Sequence, residues 1–171
     1  LPADVLASMN ALNDVTSRRR DYRQSKQIVS DHGPDYRLRL NDAAKVESVL
    51  KVEKTVAHRV VEECMLVTNS AMANYFNEHD IAAIFVNHAG IKPERLNDAE
   101  ALLKRHVPEP PNQAALQSLE GFVSFVHRMR SEPTIAAIEP VFTRMYARTQ
   151  LGRQAASHFG LGNPNYLTFT S

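Results

Sequence analysis

Two groups of side chains in this chain have the types and spacing for chemistry. The first is a pair of adjacent acids, Glu62 and Glu63, in the stretch His58-Arg59-Val60-Val61-Glu62-Glu63-Cys64-Met65-Leu66-Val67-Thr68-Asn69. Neighbouring residues on a helix point about 100° apart, so the two carboxylates cannot face the same way. One can look inward and act while the other stays in water. The second group is Arg18-Arg19-Arg20 with Arg23 and Lys26. These cations lie towards the C-terminal end of a predicted helix, where they complement its dipole. They read either as a phosphate-contacting surface, with Arg19, Arg20 and Arg23 as the candidate contacts, or as a solvated helix end.

Other chemistries lack their patterns. The seven histidines form no HExxH and no i,i+4 pair, and CxxC is absent, so no transition-metal site is written in the sequence. Gly160-Leu161-Gly162 is a lone GxG that precedes no helix pattern, there is no Walker loop, and no serine sits in a G-x-S-x-G elbow. A two-metal phosphoryl-transfer site needs several carboxylates close together. Here Asp14, Asp21, Asp31, Asp35, Asp42, Asp80 and Asp98 are scattered.

Composition sets wide bounds. The 171 residues suffice for one sizeable core, and 43% hydrophobic with 23% charged residues is ordinary for a soluble globular protein. A net charge of +1 supports no global attraction to nucleic acid, although a local patch remains open. The single cysteine, Cys64, excludes an internal disulfide and makes a reducing cytosol the simplest setting. No apolar run approaches the ~18 residues of a membrane span, and no secretory leader is recognisable at the start.

Periodicity supplies the elements that must position the acids and cations. Pro2 to about Gln27 reads as a helix with Val5, Met9, Leu12 and Val15 or Thr16 as its apolar stripe. After Gly33-Pro34-Asp35, Tyr36-Arg37-Leu38-Arg39-Leu40 alternates like a half-buried strand. Asn41 to Ala44 turns, and Val46 to Val52 returns as the second strand of a hairpin. A long helix from about Val52 to Asn77 carries the acids. Its stripe is Val56, Val60, Cys64, Val67 and Ala71, widened by Val61, Met65, Met72 and Phe76. Ile81 to Val86 reads as a short strand or buried connector, and Asn87 to Gly90 as a turn. Helices follow over about 93–106, 113–130 and 133–148, with Pro140 expected to kink or break the last. The tail from Ala155 to Ser171 is rich in small residues and glycine with interspersed aromatics, more like a site loop than core. The predicted class is α+β, helix-dominated, with about five helices, a β-hairpin and one or two further short strands.

Three stretches, in order, resemble the ribonuclease II family of 3′-to-5′ exoribonucleases. They are Gly33-Pro34-Asp35-Tyr36-Arg37-Leu38-Arg39-Leu40, then His58 to Asn69, then His158-Phe159-Gly160-Leu161-Gly162 followed by Tyr166 and Thr168-Phe169-Thr170-Ser171. Together they cover almost the whole chain, and the Pro-Asp-Tyr-Arg form looks closer to bacterial ribonuclease II than to ribonuclease R. The resemblance implies a Mg²⁺-dependent, processive, cytoplasmic enzyme. Its parent, expected to be monomeric, hydrolyses single-stranded RNA to nucleoside 5′-monophosphates.

The resemblance also implies that residues 1–171 are one piece of an RNB catalytic domain. That piece follows the metal-binding aspartates, precedes the phosphate-binding arginine and lacks the OB-fold RNA-binding domains. It would bind no metal and be inactive alone. It would expose apolar surface where the rest of the domain belongs. Glu62 matches the family's acid near the 3′-terminal nucleotide, with an implied hydrogen bond to the ribose that favours RNA over DNA. Glu63 is then structural or exposed. His158, Tyr166 and Ser171 are implied to shape the cavity floor. By the resemblance Ser30 stands where family members carry a base-stacking phenylalanine: either the match slips by a residue or two here or the substrate is clamped differently, a change worth roughly 1–3 kcal/mol per stacked base. The rival expectation is a non-catalytic helical module that binds RNA or another protein.

Overall fold

Asn41 closes the hairpin. In the computed structural model, which describes residues 1–29 and 35–170, β1 (Asp35–Leu40) pairs antiparallel with β2 (Val46–Val52), Leu38 opposite Val49 and Leu40 opposite Val46. The Asn41 side-chain oxygen accepts from the backbone N–H groups of Ala43 and Lys45, both at 3.0 Å. Such local bonding is why asparagine favours turns. The half-buried character expected of these strands does not hold: Tyr36, Leu38, Leu40, Val49 and Leu50 are all exposed. Alternation determines which residues share a face, not whether a second layer covers it.

The described residues form two compact units. The first draws on Leu1–Asp21 and Ser30–Cys64, the second on Tyr22–Val29 and Met65–Ser171. Two helices contribute to both, α1 (Ala3–Lys26) and α2 (Val56–Glu78). On α1 the expected apolar stripe is exposed at Val5, Met9, Leu12 and Val15, while Thr16 is buried. The Thr16 hydroxyl donates to the Leu12 carbonyl at 2.9 Å.

Helix α2 starts at Val56 and not at Val52, because β2 continues to Val52 and Thr55 then caps the helix. The N–H of His58 donates to Thr55 Oγ1 at 3.4 Å, and the N–H of Thr55 donates to His58 Nδ1 at 3.2 Å. This is a capping box with histidine in the Glu/Gln position. The buried positions on α2 are Glu63, Leu66, Asn69 and Ala73. Their spacing is helical, but the face is rotated from the apolar stripe: Val56, Val61, Val67 and Ala71 are exposed.

The second unit holds the main core. Strand β3 (Phe85–Asn87) pairs antiparallel with β4 (Gln150–Gly152), a second small sheet. Pro93–Arg95 makes a 3₁₀ turn into α3 (Leu96–His106). The helix expected over 113–130 forms as α4 (Gln113–Gln117) and α5 (Leu119–Ser131), broken at Ser118. There the Ser118 hydroxyl caps α5 by accepting from the Gly121 N–H at 3.1 Å. The last helix is broken as well, into α6 (Pro133–Ala136) and α7 (Glu139–Thr143). Pro140 falls in the first turn of α7, where its missing N–H would have had no helical partner anyway. Seven α-helices among the described residues therefore replace the five periodic stretches, and the class is α+β.

Phe122, Phe142, Leu103, Leu116, Met129 and Ile135 are fully buried in this core. Phe122 meets Phe159 edge-on with ring centroids 5.3 Å apart, the offset geometry that aromatic quadrupoles favour. The α4–α5 corner depends on a close approach. A Cβ on Gly121 would lie 2.4 Å from the Ala115 carbonyl oxygen. Alanine in a helix is ordinarily favoured over glycine by about 1 kcal/mol. At this corner, Gly121→Ala is expected instead to destabilise the protein, by about 1–3 kcal/mol for overpacking. A lowered midpoint in thermal or urea unfolding is the outcome to look for.

Candidate functional site

The C-terminal tail is held against α2 by a row of side-chain amides, all within the second unit. Asn163 donates from Nδ2 to Ser70 Oγ at 3.0 Å, and Asn165 donates to Asn74 Oδ1 at 3.2 Å. Asn69 Nδ2 donates to the Tyr166 hydroxyl at 2.9 Å and to the Thr170 carbonyl at 3.2 Å. Its Oδ1 accepts from the backbone N–H of Phe169 at 3.0 Å and of Thr170 at 2.8 Å. Between these bonds Leu167 packs with Ala73 and Phe85 in a small apolar cluster.

The His-Phe-Gly-Leu segment forms a 3₁₀ turn, Phe159–Leu161, which His158 caps: its Nδ1 accepts from the Leu161 N–H at 3.1 Å. Gly162 continues it at φ +67°, and a Cβ there would lie 2.9 Å from the backbone nitrogen of Ile28. Glycine is thus required both by conformation and by space. The Gln27 amide bonds the Asn163 side-chain oxygen at the same place.

Behind the turn, His158 stacks on His88 with ring centroids 5.4 Å apart and planes 23° apart. Tyr166 lies edge-on to His158 at 5.6 Å. His88 Nδ1 accepts from the Gly90 N–H at 3.2 Å. With Nδ1 accepting in both rings, each imidazole is in its neutral form. Burial lowers the pKa of His88, and burial followed by repulsion from His88 pushes His158 down to about 4. His158 and Tyr166, the residues expected to shape a cavity floor, are both buried, and the atoms just described bond inside the protein. Ser171 and Ser30 lie outside the described residues.

In the first unit the two acids part as adjacent helix positions must. Glu62 keeps 30% of its side chain exposed, and its Oε2 accepts from Lys54 Nζ at 3.2 Å. Glu63 was expected to be structural or exposed. It is 1% exposed, with Arg19 Nε 3.9 Å from its carboxylate. Arg20 is half-buried. Arg23, in the second unit, corrects the reading of one cationic surface: only 4% exposed, it donates from Nε to Gln27 Oε1 at 3.2 Å. An arginine held that way structures the helix end and does not stand ready for a phosphate.

Among the described residues no group of three or more His, Cys, Asp or Glu side chains is placed to hold a metal ion. Glu62 and Glu63 already face Lys54 and Arg19. These residues therefore do not fit a magnesium site. Nor, among the described residues, is any helix long and apolar enough to cross a membrane.

The sequence profile of the RNB domain matches residues 2–171. The chain belongs to the RNB-domain family. Within that family it is 30% identical over 168 residues to Exoribonuclease 2 of Edwardsiella piscicida, covering 98% of this chain and 26% of that protein. Exoribonuclease 2 of Klebsiella pneumoniae (strain 342) is 29% identical over 171 residues. The chain thus spans about a quarter of the length of the curated relatives it matches. The fold is similar to part of Mycoplasma genitalium RNase R, solved in complex with ribose-methylated single-stranded RNA. It superimposes with a TM-score of 0.77 at 16% identity, over 98% of this chain and 26% of that one.

Sequence reasoning found the RNB tail motif but missed its partners. Asn69 was visible as the end of the acidic stretch, and a polar residue three after the buried Leu66 was the available signal. His88 had no sequence signal linking it to His158.

The buried imidazoles make stability depend on pH. Unfolded histidine protonates near 6.5 and folded His158 only near 4, so the unfolded state binds more protons between those values. Stability is undiminished above about pH 6.5 and falls as the pH drops towards about 4. Melting temperatures across a pH series are expected to show this fall. His158→Asn, which retains a capping oxygen, is expected to flatten it.

Proposed function

We propose that residues 1–171 form part of the catalytic domain of a 3′-to-5′ exoribonuclease that releases nucleoside 5′-monophosphates from single-stranded RNA. The RNB match over residues 2–171 carries this reading, because it includes all three stretches that bear the resemblance. The RNase R complex with ribose-methylated single-stranded RNA supports the choice of polymer. The relatives named Exoribonuclease 2 support the reaction. In this proposal magnesium and the arginine for the scissile phosphate come from outside residues 1–171, and the whole enzyme works in the cytoplasm as a monomer.

Glu62 is the proposed ribose contact. It stays partly exposed while Glu63 is enclosed, so of the two it is the one a substrate can reach. Lys54 Nζ donates to one carboxylate oxygen of Glu62 at 3.2 Å, which leaves the other oxygen to accept from a substrate. A 2′-hydroxyl can donate to it and a deoxyribose cannot, which discriminates RNA from DNA. Arg19 lies beside Glu63, its Nε 3.9 Å from the carboxylate, and its role in this reading is to orient the helix bearing Glu62.

The test uses the full-length protein and 3′-terminal ribose or deoxyribose substrates. Glu62→Ala is expected to reduce the RNA-to-DNA activity ratio roughly 10- to 100-fold, the equivalent of about 1.5–3 kcal/mol for a hydrogen bond to a charged group. Its melting temperature should change less than that of Glu63→Ala, which strands Arg19 beside a cavity. An unchanged ratio with a lowered melting temperature would make Glu62 structural. A contaminant-free sample of the 171-residue chain, supplied with magnesium, is expected to release no mononucleotide from single-stranded RNA.

A further inference from the structure

We propose that Asn69 is a positioning residue of the exoribonuclease, its buried carboxamide setting the path of Tyr166–Thr170. This rests on the function proposed above. The starting observation is a conflict on α2: Asn69 is 0% exposed on a face otherwise lined by Leu66 and Ala73. A buried amide is costly unless both its ends are matched. Asn69 is matched at both ends by one segment of chain. Its Nδ2 reaches the Tyr166 hydroxyl and the Thr170 carbonyl, and its Oδ1 takes the N–H groups of Phe169 and Thr170. The Thr170 hydroxyl approaches the same oxygen at 3.3 Å.

Residues 168–170 belong to no strand or helix. Backbone N–H groups in such a segment need a partner supplied from elsewhere, and for Phe169 and Thr170 that partner is this one side chain. Upstream, the tail has other anchors: the Val86 N–H donates to the Tyr166 carbonyl at 2.8 Å, and Leu167 is buried beside Phe85. Past Leu167 the direction of the chain is set by Asn69. A side chain of fixed length on a rigid helix fixes two consecutive peptide groups, and so fixes the direction in which the polypeptide leaves Thr170. In the exoribonuclease reading this tail shapes the cavity for the RNA 3′ end. Asn69 would touch no substrate and would act through the backbone it holds.

The experiment compares full-length wild type, Asn69→Ala and Asn69→Asp by amide hydrogen exchange and by steady-state hydrolysis of single-stranded RNA. Asn69→Ala removes both ends of the amide. Asn69→Asp keeps the acceptor for the two N–H groups. In Asn69→Ala the Phe169 and Thr170 amides are expected to exchange at least about tenfold faster, with the α5 core unchanged. Its kcat per folded enzyme is expected to fall on the order of 10- to 100-fold. KM should stay within about threefold, because contacts elsewhere along the RNA hold the substrate. Asn69→Asp, which sets an oxygen against the Thr170 carbonyl, is expected to recover the protection and kcat only in part, and both to the same degree.

Unchanged kcat in folded Asn69→Ala overturns the proposal, as does unchanged exchange at Phe169 and Thr170. If Asn69→Ala does not fold, Asn69→Asp decides: amide protection at Phe169 and Thr170 and kcat that fall or persist together support the proposal, and either one changing without the other overturns it. Failure of the exoribonuclease reading is distinguishable, since wild type would then release no mononucleotide whatever the exchange shows.

Discussion

A carboxamide with no access to water governs the C-terminal tail of the second unit. Asn69 sits on the buried face of α2, and a helix cannot turn that residue outward without exposing Leu66 and Ala73. The chain therefore has to deliver donors and acceptors to it, and the tail does so with two backbone N–H groups, one carbonyl and two hydroxyls. Other contacts hold the tail on its way there. Gly162 lets the chain pass against the Ile28 backbone, and the His158 cap turns it there. Asn163 and Asn165 tie the approach to Ser70 and Asn74. A buried polar group is a poor source of stability compared with an apolar one, but it is selective about what may pack against it.

The first unit answers a similar problem with charge. Glu63 is enclosed and Arg19 approaches it, while the neighbouring Glu62 turns towards Lys54 and water. An ion pair of this kind contributes little net stability once desolvation is counted, yet losing one partner is expensive. The pairing fixes which of two adjacent acids faces outward. That choice is what gives Glu62 its place in the proposed chemistry.

The elements were legible where local rules decide them. The hairpin strands and the helix break just before Pro140 follow from alternation and from a missing N–H. What was not legible is which helix face is inside. Apolar periodicity ranks Val61 and Val67 as core and ignores Glu63 and Asn69, and on α2 the buried stripe is half polar. The same rule marks Val5, Met9 and Leu12 on α1, which are exposed, and treats Arg23 as a surface cation, which it is not. Periodicity reports a helix's preference for a partner and nothing about the partner. The Glu62 position could be reached through resemblance, but its exposure relative to Glu63 needed the backbone. The His88–His158 stack needed it too, because those residues are 70 positions apart in the chain.

The way the tail is held suits the ligand proposed for it. Most bonds that fix residues 158–170 are between neutral groups: side-chain amides, hydroxyls, peptide groups and two imidazoles kept uncharged by burial. Contacts between cations and phosphates weaken steeply as salt rises. A scaffold built from buried neutral hydrogen bonds is far less sensitive to screening than one built from exposed ion pairs. A polyanion arriving at such a surface finds no internal salt bridge to pull apart, so its charge does not loosen the loop that must receive it. The bonds that shape the tail therefore depend little on ionic strength.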